Sequence, residues 1–519
     1  MIRRFIAALC ILPFAALFLH AEEVTLDSTS HYQDWPWTCL VMENGIITIA
    51  TVPEIGARVM QYDLGDHPSI FTNPNVFDET YDPATYNGWP SWGGYKVWPA
   101  PQDWGWPPPP YLDFGVYSSR MEFSTPDSAA IFVSSPVEKK KTPNLRQERR
   151  TTIFKNTSRV RMEQTLINEG KTKANWSVWD VTQSIVNHPG ERDFENFWVY
   201  FPINPKSVFG EEGVDIDAAS SAWKGEVAPG IYGVQYESSG AKINADPHKG
   251  WICYVDEQDS MAYAKIFPLY EDAEYPAGGH RVSVWVERAP FYLEVEVYSP
   301  MAELAPNGGR TTFTIDWYAA KVHGPILDVN PVGAIAKNLL VNPETVSGEY
   351  GVFHVGTARL VAMDAQSQVL LQGPEHAVTP LQTLVLNDAF LIPAGAQRIA
   401  IQVRDPGGDL IGNLDELDLS GTAVRGRAGV SPREFYIGNL FPNPGNPSVT
   451  IPFFLGRSGP VTLDVYDAAG RRAANVLSET LDAGEYRVDW KAANMPGGLY
   501  IFRLQAGGRM ASRKWLLLK

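Results

Sequence analysis

RVSVWVERAPFYLEVEVYSP, residues 281–300, decides the fold. Val282, Val284 and Val286 alternate with Arg281, Ser283, Trp285 and Glu287, and Leu293, Val295 and Val297 alternate with Tyr292, Glu294, Glu296 and Tyr298. A period of two sends successive side chains to opposite faces of a strand. The segment therefore predicts an antiparallel hairpin with its turn at residues 288–291. One face is aliphatic; the other carries Trp, Tyr and carboxylates. Same-face pairing sets Trp285 across from Glu294 and Ser283 across from Glu296.

The same texture spreads outward. TCLVMENGIITIATV (38–52) holds two apolar runs around Asn44–Gly45, a hairpin signal, and RRTTIFKNTSRVRMEQTLIN (149–168) repeats the pattern around Asn156. No convincing amphipathic helix exceeds two turns. Many short strands punctuated by Gly, Pro and Asn predict an all-β chain of large and small sandwiches. An aromatic-rich region runs over 22–323 and a smaller β unit poorer in aromatics over 324–422. A linker-like stretch follows over 423–434, and a last unit occupies 435–519.

Arg3 and Arg4 precede the apolar run IAALCILPFAALFL, and the small Ala21 precedes Glu22–Glu23. This is the layout of a cleavable secretory leader over residues 1–21. The run is shorter than the roughly 20 residues of a membrane span, and no later stretch is apolar enough to span. A net charge of −16 disfavours nucleic acid and anionic membranes as partners. Outside the leader only Cys39 and Cys253 remain, which make no disulfide framework and no zinc-type spacing. They are either one bridge or two buried thiols. No cofactor or metal site is expected. Asp256, Glu257 and Asp259 lack the spacing of a calcium loop and read as a solvated turn.

GGYKVWPAPQDWGWPPPPYLDFG (93–115) is too rich in Pro and Gly for a helix or a central strand. The loop over residues 89–106 is expected to arch rigidly over the open sheet face, presenting Trp89, Trp92, Trp98, Trp104 and Trp106 as walls or plates. An indole offers an apolar plate to the C–H face of a sugar ring, and carboxylates accept hydroxyl protons. Lys96 and Gln102 would add hydrogen bonds.

Two resemblances sharpen this reading. The tail carries Pro442-Asn443-Pro444, the VYDAAGR turn, the GLY strand and a final lysine. In this order they resemble the C-terminal sorting domains of the type IX secretion system and the related hook-capping Ig-like domains. That implies an Ig-like sandwich over 435–519, a secretion machinery as partner, and a secreted or outer-surface location in a Gram-negative bacterium. IGARVMQYDLGDHPSIFTNP, GGYKVWPAPQ, NWSVWDVTQS and FYLEVEVYSPMAELAPNGGRTTFTIDWYAAKV resemble an uncharacterised family of the galactose-mutarotase-like superfamily. This implies a β-supersandwich with one concave sheet open to a carbohydrate or glycan.

The resemblance implies a late-strand glutamate as general base, which Glu294 matches, with Lys96, Trp98, Gln102, Trp179, Gln183, Trp285 and Glu296 around the sugar. It also implies a histidine acid. The matching strand offers Asp180 and Gln183 instead; His188 looks like a turn residue, and nothing selects His280. Binding without turnover, epimerase-like or other glycan chemistry, and a structural surface role all stay open. An open trough would mark the binder and a covered face the structural protein.

Overall fold

The structure, a computed structural model, describes residues 23–519 apart from 31, 189, 192–193, 219–223, 238–239, 342–344, 420–434, 439, 446, 456, 469, 483, 493–494, 508 and 519. The expected leader (1–21) and linker (423–434) lie outside the described residues.

Alternation dominates the fold, and the chain is all-β. Among the described residues, the strands up to Lys321 form two antiparallel sheets, of twelve and ten strands. In the larger sheet the middle strands run in the order Arg58–Leu64, Tyr95–Ala100, Ala174–Ser184, Phe291–Tyr298, Val282–Arg288, Ala241–Ala245. The hairpin forms in the expected register, with Trp285 opposite Glu294 and Ser283 opposite Glu296. Its aliphatic face, Val282, Val284, Val286, Leu293, Val295 and Val297, is wholly buried against Phe313, Ile315, Trp317 and Tyr263 of the ten-stranded sheet. Each such side chain contributes about 1.5–3 kcal/mol on burial. Val295→Asp would place an unpaired carboxylate in that layer and break it.

Tyr95–Ala100 corrects one expectation. This part of the Trp-rich stretch is a strand inside the sheet and makes six pairings with Ala174–Ser184. Two features make it possible. Gly93 sits at φ +91°, where a Cβ would lie 2.1 Å from the Phe71 carbonyl oxygen, so only glycine lets the chain enter here. Pro99 keeps its carbonyl on the edge away from Ala174–Ser184, where it accepts a hydrogen bond from Trp104 Nε1 at 2.8 Å. Its missing N–H faces that same edge and costs the ladder nothing. Beyond Tyr95 the strand has no pairing with Arg58–Leu64, so that edge is the place where proline is tolerated.

Two four-stranded sheets follow, packed on a core that includes Ile335, Tyr350, Leu360, Ile401 and Leu414. One of these sheets is built of two hairpins, Gly356–Met363/Val369–Val378 and Arg398–Arg404/Leu410–Asp418, joined through their first strands. The last unit has sheets of three and four strands around Trp515, Phe502 and Leu463. Trp515 Nε1 donates to the Pro442 carbonyl and Asn443 Nδ2 to that of Lys514, tying the Pro-Asn-Pro element to the last strand. Cys39 and Cys253 are free buried thiols, so of the two readings left open the thiols hold.

Candidate functional site

Register sets the site. Across the larger sheet Trp98 faces Trp179, which faces Tyr298; Gln183 faces Glu294, which faces Trp285, which faces Lys242. Paired residues share a face, so these side chains gather on the face opposite the aliphatic layer. Five strands supply them, and apart from the two arms of the hairpin they are separated by long stretches of sequence.

Glu294 is the centre. Its Oε1 accepts from Lys96 Nζ at 3.1 Å and from Gln183 Nε2 at 3.0 Å. Among the described residues its Oε2 has no hydrogen-bond partner. Burial pushes the Glu294 carboxyl above the ordinary carboxylate range, with the Lys96 charge opposing the shift. Burial likewise pushes Lys96 below the usual ammonium value, and Glu294 opposes that. The Lys96 ammonium lies 4.7 Å from the Trp98 ring centroid and 5.6 Å from that of Trp89, within cation–π range.

Glu296 differs. It is wholly buried, and its Oε2 accepts from Trp179 Nε1 at 2.9 Å, Tyr298 OH at 2.9 Å and Lys242 Nζ at 3.2 Å. Three donors on one oxygen leave it a holding group, not a free acceptor. The open trough expected over Trp285, Glu294 and Glu296 is corrected: Glu296 is wholly buried, Glu294 is 6% exposed, and of the three only Trp285 is half-buried.

The tryptophans divide the same way. Trp92 belongs to a small core with Trp37 and Phe114, and Trp98, Trp104 and Trp179 form another with Tyr298. All four indoles are buried, so of the expected walls or plates Trp92, Trp98 and Trp104 are not open plates. Trp98 Nε1 donates to Asp113 Oδ1 at 2.7 Å, and Arg58 holds the same oxygen at 2.9 Å, so this indole is a fixed wall beside Lys96. Trp89 and Trp285 are half-buried, while Trp106 is 56% exposed and packs edge-on to Trp89 with centroids 4.9 Å apart. These three remain accessible. Gln102 is exposed and, among the described residues, makes no contact with the Glu294 group.

The acid expected beside the base has no histidine here. Asp180 points into the core, where Lys265 Nζ donates to Oδ1 and Gln164 Nε2 to Oδ2. His280 lies beyond Tyr298, with ring centroids 6.4 Å apart, and pairs with Asp215. His188 is no simple turn residue: its imidazole converges with that of His67 on Asp256 and Asp259. Lys242 and Lys265 escaped the sequence reading. Their signal was a lone lysine inside an apolar strand, as in MAYAKI and AKINA.

Residues 439–518 match the family described as the secretion system C-terminal sorting domain. This unit is a type IX sorting domain, and the chain is a secreted or cell-surface protein. Among the described residues no helix is long and apolar enough to cross a membrane. No curated protein matches the chain. Similar solved structures include a galactose mutarotase-like protein from Clostridium acetobutylicum, 10% identical with a TM-score of 0.38, covering 58% of this chain and 99% of that one. A protein from Synechocystis sp. PCC 6803 is 12% identical with a TM-score of 0.39, covering 55% and 96%. A galactose mutarotase-like protein from Lactobacillus casei is 10% identical with a TM-score of 0.34, covering 54% and 99%. Likeness at this level carries no argument about activity.

Proposed function

We propose that the chain is an exported carbohydrate-binding protein. Residues 22–323 would hold the sugar, 324–422 form a smaller β unit, and 435–519 address the chain to the secretion machinery. The observation that carries the reading is the half-satisfied Glu294. Lys96 and Gln183 fix one oxygen, and the other is left to accept a hydroxyl proton. Trp89 and Trp106 on one side, and Trp285 and Lys242 on the other, offer apolar rings and a donor at its mouth.

A glycan-array screen of the mature full-length chain tests this, beside Trp106→Ala and Glu294→Gln. The expected result is binding to a defined set of sugars, weakened by both variants. Silence across a broad array, or binding indifferent to both, overturns it in favour of a structural surface role.

One observation favours a second reading, proton transfer on the bound sugar. Lys96 and Glu294 lie 3.1 Å apart with pKa values displaced toward each other by burial. Such a pair suits acid–base work, with Glu294 as base. Anomer interconversion followed by NMR on any sugar found by the array checks it; a rate equal to the buffer's rejects it.

A further inference from the structure

At one end of the two-sheet sandwich four side chains from three separated segments converge. His67 comes from the short strand His67–Pro68, His188 from the segment leaving Ala174–Ser184, Asp256 from the end of Trp251–Asp256, and Asp259 from the turn after it. One ligating atom from each lies within 4.8 Å of all the others. We propose that His67, His188, Asp256 and Asp259 form a tetrahedral site for a divalent transition metal of the zinc class.

Geometry is the first argument. His67 Nε2 lies 3.0 Å from Asp256 Oδ2 and 3.1 Å from Asp259 Oδ2; His188 Nε2 lies 2.9 and 3.3 Å from the same two oxygens. Zinc held at about 2.0–2.2 Å by four N and O ligands sets neighbouring ligand atoms roughly 3.3 Å apart. The four cross-distances approach that edge length, and both imidazoles present the same nitrogen.

Charge is the second. The Asp256 side chain is wholly buried, and among the described residues its ion-pair partners are the two imidazoles, with no Lys or Arg. Buried carboxylates need a counter-charge. Two carboxylates, two neutral imidazoles and one divalent ion sum to zero. Nitrogen ligands suit zinc-class metals, whereas calcium takes an all-oxygen shell.

Preorganisation is the third. Asp256 Oδ1 accepts the backbone N–H of Gln258 at 3.0 Å and of Asp259 at 3.4 Å, which turns Oδ2 toward the imidazoles. The segments bearing the two histidines are themselves bonded, Ile185 N–H to the Ser69 carbonyl at 3.2 Å, and Tyr254 OH to the Ile185 carbonyl at 2.9 Å. Carboxylate orientation by such outer bonds is typical of metal sites. Asp259, 43% exposed, leaves an entry path from solvent. Four protein ligands fill a tetrahedron, so the metal's role is to fasten segments of both large sheets at this end.

The test titrates the chelator-treated, full-length chain with Co2+ and reads visible absorption, then displaces the cobalt with Zn2+. The proposal expects an intense tetrahedral cobalt band saturating at one equivalent, its loss on adding one equivalent of Zn2+, and a raised melting temperature with either metal. Asp259→Asn, at a half-exposed position, is expected to fold with unchanged circular dichroism and to bind Zn2+ more weakly by about 100-fold. His188→Ala is expected to abolish the band. Failure of the folded chain to bind Co2+ or Zn2+, undiminished binding by Asp259→Asn, or preference for Ca2+ over Zn2+ overturns it.

Discussion

Two buried lysine–carboxylate pairs lie on opposite faces of one sheet, and they are built differently. Lys265 and Asp180 are both 0% exposed, and both oxygens of Asp180 are filled, one by Lys265 and one by Gln164. Lys265 also donates to the Val295 carbonyl at 2.7 Å. Lys96 and Glu294 are 2% and 8% exposed, and only one oxygen of Glu294 is filled. The saturated pair is a closed structural joint. The pair with a spare acceptor, near the accessible ring of Trp89, is the one that the proposed function would use for a ligand.

The largest effect should follow from breaking the closed pair. Lys265→Met strands a buried carboxylate and is expected to cost about 3–5 kcal/mol in urea unfolding; the double variant Lys265→Met/Asp180→Leu should recover most of that loss. Lys96→Met should cost less, about 1–3 kcal/mol, since Glu294 can take up a proton and retains Gln183. Equal losses from the two lysines would erase the distinction drawn here.

Glu294→Gln probes the open pair through pH. Burial raises the folded-state pKa of Glu294 above its ordinary 4.5, so the folded chain holds this proton more tightly than the unfolded chain does. That contribution is fully present below about pH 4.5 and is lost as pH rises through the folded value. The stability of Glu294→Gln relative to the natural chain should therefore rise as pH increases above about 4.5, and unfolding curves at stepped pH would show it. A flat or opposite difference would mean that Glu294 is not desolvated.

The smallest stability effect belongs to Trp106→Ala. At 56% exposure its loss should change unfolding free energy by under about 0.5 kcal/mol. Sugar affinity should nonetheless fall several-fold by calorimetry. Stability lost in step with affinity would make this indole packing, like Trp98.

What the sequence disclosed follows from the reach of alternation. The hairpin, its register and the side chains on each face were legible because period two acts residue by residue. The same alternation in WSVWDVTQS could have separated Gln183, on the site face, from Asp180, in the core, once the facing strand was known. Pro99 misled because its tolerance depends on which strand edge it faces, a property of neighbours distant in sequence. Whether Trp98 is a wall or a plate stayed open, because composition cannot distinguish the two. The His67–Asp256 cluster stayed hidden because residues 67, 188, 256 and 259 have no common spacing; only the packing of the two sheets brings them together.

The bond from Lys96 to Glu294 spans 198 residues. Contacts this remote form slowly, because the chain between them must lose its freedom before they reward it. No short fragment contains both strands, and no early collapsed state has cause to align them. Affinity for the ligand would therefore arrive late in folding, after the surrounding sheet has been assembled.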